Sequence, residues 1–461
     1  MPTLDASTRS AIESFVIDWM DDNGIPGASL ALVDGDELVY ADGFGARDVS
    51  ENIPSTSDTL YGIGSITKSF TALAIQQLVE DGELELTDPV TEYVDRYADA
   101  PGNPVLIHQL LTHTSGLPSD GSAAVLIARL MGAGEVASPI TSDNDFSRHL
   151  NGALNDRLVD DEEHFFYYNS GYTVLGEIVE SITGKSYEEY VHEQILEPLG
   201  MTRSTFDADG FESQSDRMTP YFRGGDGLQS GRFPFDETIY APGGLLSSVT
   251  EMSNYLRMNM NGGEFKGNHL LSSERLAELH EPASTRLEYL DGPTQQYGCG
   301  WMISDLVGDR LVGHGGSIGV CTAYMGFLKE ANVGVVLLCS TSPETHPMNV
   351  GPAVLGLTQG EDPKDAVPQF GLDAKLDAVT GEYASYREIT TATVERVSGG
   401  LTVSYGSGRA TQKLLALPEN TDPDDFDFYT VTPDGSRTPI RFEETDDGME
   451  LFVDRWRLYR E

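Results

Sequence analysis

Ser65 and Lys68 are the pair on which a chemical reading of this sequence turns. They stand three residues apart in Gly62-Ile63-Gly64-Ser65-Ile66-Thr67-Lys68-Ser69-Phe70, a two-glycine loop running into Phe70, Leu73, Ala74, Ile75 and Leu78 at helical spacing. Gly82 supplies a stop. The spacing predicts a helix with Ser65 at or beside its N-terminus and Lys68 one turn on, on the same face. A hydroxyl so placed has an amine to take its proton and a helix dipole to stabilise developing negative charge. That is the chemistry of an activated nucleophile. Taken alone the pair also fits an N-cap serine beside a solvated lysine. Lysine is scarce, however, with seven among 29 basic residues, and one stands here.

Two more motifs bear on that choice. Tyr167-Tyr168-Asn169 lies well downstream, and His314-Gly315-Gly316-Ser317 falls on or beside a predicted strand. Singly, each has a bland explanation. Tyr167 sits among Phe165, Phe166 and Tyr168 as core residues do, and Asn169 before Ser-Gly suits a turn or helix cap. His314 suits a strand-end turn, and His113 reads as structural, bracing its loop. In combination and in this order, the bland explanations lose.

The three motifs resemble, in order and approximate spacing, the active-site elements of the serine β-lactamase and penicillin-binding-protein superfamily. The fit is best to its class C and D-alanyl-D-alanine carboxypeptidase or esterase branch. Leu110–Leu117 (Leu-Leu-Thr-His-Thr-Ser-Gly-Leu), Asn169-Ser170-Gly171-Tyr172 and Pro242-Gly243-Gly244-Leu245 agree, and the resemblance covers roughly residues 10 to 345. It implies that Ser65 attacks a carbonyl to form an acyl-enzyme, with Lys68 or Tyr167 as the base; the choice stays open. Lys68 as base must be at least partly neutral, which burial favours. Asn169 would hold Lys68 and the substrate amide, and the amides of Ser65 and Ser317 would form an oxyanion hole. Gly316 would let the substrate backbone approach closely.

Where this superfamily usually has Lys-Thr-Gly, the chain has His314-Gly315-Gly316. His314 would offer a hydrogen bond, or a charge when protonated, to a substrate carboxylate, less constantly than lysine does. The resemblance therefore implies hydrolysis of a small peptide or amide, with D-residues among the candidates. A carboxylic ester is the runner-up and a β-lactam third. A catalytically inactive binding protein is the alternative of another class, disfavoured because Ser65, Lys68, Tyr167, Asn169 and His314 are all present. No cofactor is expected. The nine histidines show no metal-ligand spacing, and neither a dinucleotide fingerprint nor a G-x-S-x-G elbow occurs.

The elements that must position these residues are legible as patterns. Residues 5–22 form an amphipathic helix, and Ala28–Val33 with Glu37–Tyr40 make a hairpin around Asp34-Gly35-Asp36. Thr59–Gly62 delivers the chain to Ser65. A short helix precedes Ser115-Gly116, and residues 119–146 look like an insertion over the cleft, a lid or substrate-selecting loop. Helices follow at Val174–Thr183, Tyr187–Ile195 and Val249–Met258. Strands at Gly298–Ile303, Asp309–Gly313, Thr322–Leu328 and Val333–Cys339 would complete the sheet begun at residues 28–40.

The expected fold is α/β (α+β): a β-lactamase/transpeptidase-like antiparallel sheet flanked by helices, with an all-helical region, over residues 1–357. Thr358–Phe370 reads as a polar linker, and residues 371–461 hold about eight short strands of a small β-barrel. This module loosely resembles the lipocalin-like barrel of some archaeal serine peptidases of the superfamily. There the barrel can assist assembly and restrict access, so a homo-oligomer is left open.

Composition bounds the setting. The 461 residues include 74 acidic and 29 basic ones, a formal net charge of −45 spread along the chain. Such a surface repels nucleic acid and anionic membranes. Its self-repulsion is relieved when salt shortens the Debye length, to about 3 Å at 1 M. A high-salt cytoplasm is the expectation, since no signal peptide or membrane span is visible. The three cysteines read as buried hydrophobes.

Overall fold

The computed structural model describes residues 4–132, 140–159, 164–224, 227–407 and 411–461. The chain divides into two compact units, Met1–Leu287 with Thr294–Thr358, and Glu288–Pro293 with Gln359–Glu461.

The first unit is built on an antiparallel sheet of nine strands among the described residues. In chain order they are β1 (Gly27–Asp34), β2 (Glu37–Asp48), β3 (Ile53–Pro54), β4 (Ser284–Glu288), β5 (Thr294–Tyr297), β6 (Met302–Leu306), β7 (Asp309–Ser317), β8 (Thr322–Leu328) and β9 (Val333–Cys339). Across the sheet they run β4-β5-β6-β7-β8-β9-β1-β2-β3. The N-terminal hairpin thus closes onto the C-terminal series through β1 against β9, with Ala28 opposite Cys339 and Asp34 opposite Val333. Nearly every residue of β1, β8 and β9 is buried. Hence these strands read as apolar runs instead of alternating.

The helices that matter here are α1 (Ala6–Asn23), α2 (Thr67–Glu80), α3 (Ile107–Leu111), α4 (Ser122–Leu130), α5 (Asn169–Thr183), α6 (Tyr240–Gly243), α7 (Val249–Met260) and α8 (Pro347–Thr358). Helix α2 is buried from Thr67 through Gln76 without a solvated stripe. A helix covered all round carries whatever polar group it bears into the interior, and α2 bears Lys68. Phe70 stacks on Tyr255 of α7 at 3.8 Å between ring centroids.

The second unit is a closed barrel of eight strands, from Gly381–Ala384 to Trp456–Arg460. Its interior gathers Tyr383, Val394, Leu401, Phe428, Phe442, Leu451 and Leu458, joined by Leu376 and Val379 from the helix Pro368–Val379.

The fold class is as the sequence pattern implies, with local differences. Residues 358–370 are not an irregular linker: they hold the helix Pro363–Ala366 and the start of Pro368–Val379. Both prolines stand at helix starts, where a missing N–H costs nothing, so they punctuate helices and not a tether. The strand expected at Gly298–Ile303 is interrupted, because Gly300 is left-handed (φ 76°) and the Gly298 amide bonds back to Trp301. Strands β4 and β5, unanticipated, lie just before that turn. The expected helix Tyr187–Ile195 is regular only to Val191, then widens into a π-turn at His192–Leu196. The insertion at 119–146 contributes α4, whose Ile127, with Met131 just past its end, lies against Gly319 in the β7–β8 connection. Residues 133–139 of that insertion lie outside the described residues.

Candidate active site

Ser65 is delivered by a short strand, Tyr61–Gly62, paired with Leu246–Ser247, and sits in the 3-10 turn Gly64–Ile66 that opens α2. Two glycines let this turn press against the end of β7. Gly64 is left-handed (φ 53°), and a Cβ there would lie 2.5 Å from the Ser317 amide nitrogen. A Cβ on Gly316 would lie 1.9 Å from the Ile63 carbonyl oxygen and 3.2 Å from the Ser65 amide nitrogen. Any side chain at either position would force the two backbones apart. The amides of Ser65 and Ser317 are thereby neighbours, at a place where Ser65 is half-buried and Ser317 exposed.

Lys68 is fully buried, 0% exposed. Its Nζ lies 2.7 Å from Asn169 Oδ1, 2.7 Å from the Pro242 carbonyl oxygen and 3.1 Å from Ser65 Oγ. Asn169 is the first residue of α5, and Pro242 lies in α6. Burial holds the Lys68 pKa well below its ordinary value, and no carboxylate among the described residues opposes that effect. The neutral amine has two N–H groups and one lone pair. Two of its neighbours are carbonyl oxygens that can only accept, so they take both hydrogens and leave the lone pair to Ser65.

Tyr167 lies in an irregular stretch before α5. Lys68 Nζ sits 4.8 Å from its ring centre. Burial raises its pKa above the ordinary phenol value, although its hydrogen bond to Ser65 and the charge of Arg286 pull the other way. The phenol therefore keeps its proton. Asn169 spends Oδ1 on Lys68, and its Nδ2 has no protein partner among the described residues.

His314 does not behave as expected. It is buried, with Nδ1 2.5 Å from the Gly315 carbonyl oxygen and Nε2 3.0 Å from Tyr297 Oη. A carbonyl accepts only, so Nδ1 carries the proton and Nε2 accepts from Tyr297. Burial lowers its pKa to about 3. The ring is neutral and both nitrogens are spent inside the protein, so it offers a substrate carboxylate neither charge nor donor. The cation whose charge reaches this region is Arg286 on β4, which acts on Tyr167, Tyr297, His113 and His314. It is bonded to Gln295, and no carboxylate pairs with it among the described residues.

The structure thus brings Ser65, Lys68, Tyr167, Asn169, Gly316 and Ser317 together, and His314 lies beside Tyr167, ring centroids 6.3 Å apart, with both ring nitrogens engaged within the protein. The Beta-lactamase family profile matches residues 12–359, about three quarters of the chain. The chain belongs to the beta-lactamase family. A second profile, the Pab87 octamerisation domain, matches residues 363–459. An octameric penicillin-binding protein homologue from Pyrococcus abyssi is 35% identical, over 97% of this chain and 99% of that one, with a TM-score of 0.87. Protein flp of Staphylococcus aureus (strain MW2) is 26% identical over 359 residues, 75% of this chain. Penicillin-binding protein 4 of Amycolatopsis lactamdurans is 27% identical over 329 residues, 68% of this chain and 80% of its own length. The match spans 65% of the Staphylococcus protein's length.

Sequence reasoning missed several residues of this beta-lactamase-family site. Pro242 lies in a motif already singled out, but its contribution is a backbone carbonyl that no side-chain pattern reveals. His346, just before α8, hydrogen-bonds through its ring to the Gly316 backbone and accepts from the Met348 amide at 3.0 Å. Arg286 and Tyr297 lie on strands that were themselves unanticipated.

Proposed function

We propose that this chain is a serine hydrolase that cleaves amide or peptide bonds through an acyl-enzyme on Ser65, peptides containing D-residues being among the candidate substrates. One observation carries the reading. A buried lysine without a counter-ion among the described residues has two obligate acceptors for its hydrogens and a serine oxygen 3.1 Å away for its lone pair. A solvated lysine beside an N-cap serine would have none of these features.

Lys68 acts as the base. As Ser65 Oγ attacks the substrate carbonyl, its proton passes to Lys68 Nζ, and the carbonyl oxygen becomes an oxyanion between the Ser65 and Ser317 amides. Losing one such donor costs about 2.7–4 kcal/mol of barrier. Tyr167, still protonated and hydrogen-bonded to Ser65, is placed to pass a proton to the departing amine, Lys68 resupplying it. Water then releases the acyl group by the same steps in reverse. Asn169 Nδ2 holds the substrate amide. Arg286, in place of His314, supplies positive charge for a substrate carboxylate.

The test is labelling with a fluorophosphonate at molar salt, read by intact mass, beside Ser65→Ala. One adduct, lost in the variant, is expected, followed by turnover of small peptides in preference to esters. A folded protein that takes no label would put the binding-protein reading first.

We further propose that the C-terminal module assembles the chain into a homo-oligomer. The octamerisation-domain match and the octameric Pyrococcus homologue support this. An octamer would weigh about 400 kDa by native mass spectrometry, against 50.1 kDa for one chain, and a monomer at micromolar concentration would end the idea. The acidic surface supports a high-salt cytoplasm as the working environment. Among the described residues no helix is long and apolar enough to cross a membrane.

A further inference from the structure

We infer that His113 is a positioning residue that fixes Tyr167 against Ser65, an assignment that rests on the hydrolase reading above. The stretch Phe165–Tyr168 belongs to no helix or strand, so nothing regular sets the direction of the Tyr167 ring. One residue holds it on both sides. The His113 carbonyl accepts the Phe166 amide at 2.9 Å, and His113 Nδ1 accepts the Tyr168 amide at 3.1 Å. The two amides flanking Tyr167 are therefore tied to the backbone and the ring of a single side chain.

The rest of the geometry is what such a clamp needs. His113 follows α3 in a left-handed conformation (φ 59°), which is uncommon for a β-carbon-bearing residue. That turn presents carbonyl and ring to the same strand of chain. The imidazole is walled by Tyr167, Tyr297, Tyr172 and Phe165, with ring centroids at 4.5, 4.8, 5.3 and 5.5 Å. Because Nδ1 accepts, the proton resides on Nε2, which is buried without a hydrogen-bond partner among the described residues. A leucine would fill this space with no orphaned donor. The histidine makes sense here for the acceptor at Nδ1. Accepting requires a neutral ring, and burial keeps it unprotonated.

His113→Leu removes the ring acceptor and keeps the volume. His113→Asn places an amide oxygen near the Nδ1 position and can take the Tyr168 amide again. The acylation rate of His113→Leu should fall by about 10²-fold with KM within about twofold, as for a misplaced catalytic group. His113→Asn should recover most of that loss. In a Tyr167→Phe background His113→Leu should cost nothing further, because its effect runs through the phenol. Full multiplication of the two losses, or Asn no better than Leu at equal melting temperature, would overturn the assignment.

A second readout does not depend on activity. Hydrogen exchange at the Tyr168 amide should be slow in the wild-type chain and in His113→Asn and fast in His113→Leu. Imidazole nitrogen shifts should report the Nε2–H tautomer. Fast exchange in the wild-type chain, or the Nδ1–H tautomer, would overturn the clamp. Failure of Ser65 to label while exchange behaves as described would count against the hydrolase reading and leave the clamp standing.

Discussion

Replacing Asn169 with aspartate tests the state of Lys68 more sharply than deleting the lysine would. The substitution keeps an oxygen 2.7 Å from Nζ and adds a negative charge to it. Unit charges about 3 Å apart in an effective dielectric of about 20 attract by about 5 kcal/mol. Desolvating the new carboxylate takes back part of this, and opposite charges at such range shift a pKa by about 1–3 units. At 1.36 kcal/mol per unit, that is about 1.4–4 kcal/mol in favour of the ammonium form. The sign is upward. Lys68, which burial holds low, moves back toward its ordinary value, and the free amine persists only at higher pH.

The acid limb of the acylation rate should therefore move to higher pH by about 1–3 units. The assay is labelling of Ser65 by an uncharged ester or fluorophosphonate from pH 5 to 10. Limb position is compared and not plateau height, because aspartate also removes the Nδ2 donor. Asn169→Leu is the control, since it deletes the acceptor without adding charge and should lower the plateau with no upward shift. Coincident limbs in the wild-type chain and Asn169→Asp would mean that Lys68 is not the titrating base. The proton would then have to leave Ser65 by Tyr167.

Lys68→Met should abolish labelling yet raise the melting temperature near pH 6–7, with the gain shrinking toward pH 10. An unfolded lysine binds a proton below about 10.5 that the folded one refuses, so its burial destabilises the chain increasingly as pH falls toward the folded pKa. A pH-independent change would contradict a neutral Lys68. Three buried histidines and the half-buried His346 act in the same sense at lower pH: His113 well below its ordinary value, His280 and His314 at about 3, and His346 at about 4. Below pH 6.5 the unfolded chain takes up protons that the folded chain does not, so stability should fall by up to about 5 kcal/mol per pH unit. Urea titrations at molar salt from pH 7 to 4.5 would refute this by showing an uptake of less than one proton. Arg286→Gln should raise KM about tenfold for peptides with a free carboxylate, about 1.4 kcal/mol, and leave amidated ones unchanged; equal effects on both would dismiss carboxylate recognition. Finally, the melting temperature should climb as salt rises from 0.1 to 2 M, over which range the Debye length falls from about 10 Å to below about 3 Å. A flat response would remove the high-salt expectation.

Legibility in the sequence followed the physical signal. The barrel strand Thr391–Val397 was readable to the residue, because short runs separated by turn residues leave one solution. Helix α2 was readable because a covered helix shows its apolar residues at every turn. The clustering of Ser65, Lys68, Tyr167 and Asn169 followed from motif order, since side chains named in motifs were those the fold brings together. What escaped depended on backbone or on distant partners. The Pro242 carbonyl has no signature, and the inward turn of His314 is set by Tyr297 on a strand that Gly300 hides. The prolines at 363 and 368 were ambiguous because proline both starts helices and stiffens linkers.

The site assembles groups that all resist ionisation. Lys68, His113 and His314 are pushed down by burial, and Tyr167 is pushed up. The whole chain carries 45 excess negative charges, whose field favours a proton on every base. A base near the surface would follow that field and become a cation, useless for accepting the serine proton. Placing the lysine on a helix covered on every side makes desolvation the larger effect. Giving it carbonyl partners instead of a carboxylate keeps that effect from being cancelled. The neutral histidines serve the same end, because a charged ring beside Tyr167 would compete for the same hydrogen bonds. The proposed neutral relay among Ser65, Lys68 and Tyr167 is thus compatible with a strongly acidic surface. That is why the Asn169 amide, which accepts from the lysine without charging it, is the residue on which the arrangement depends most closely.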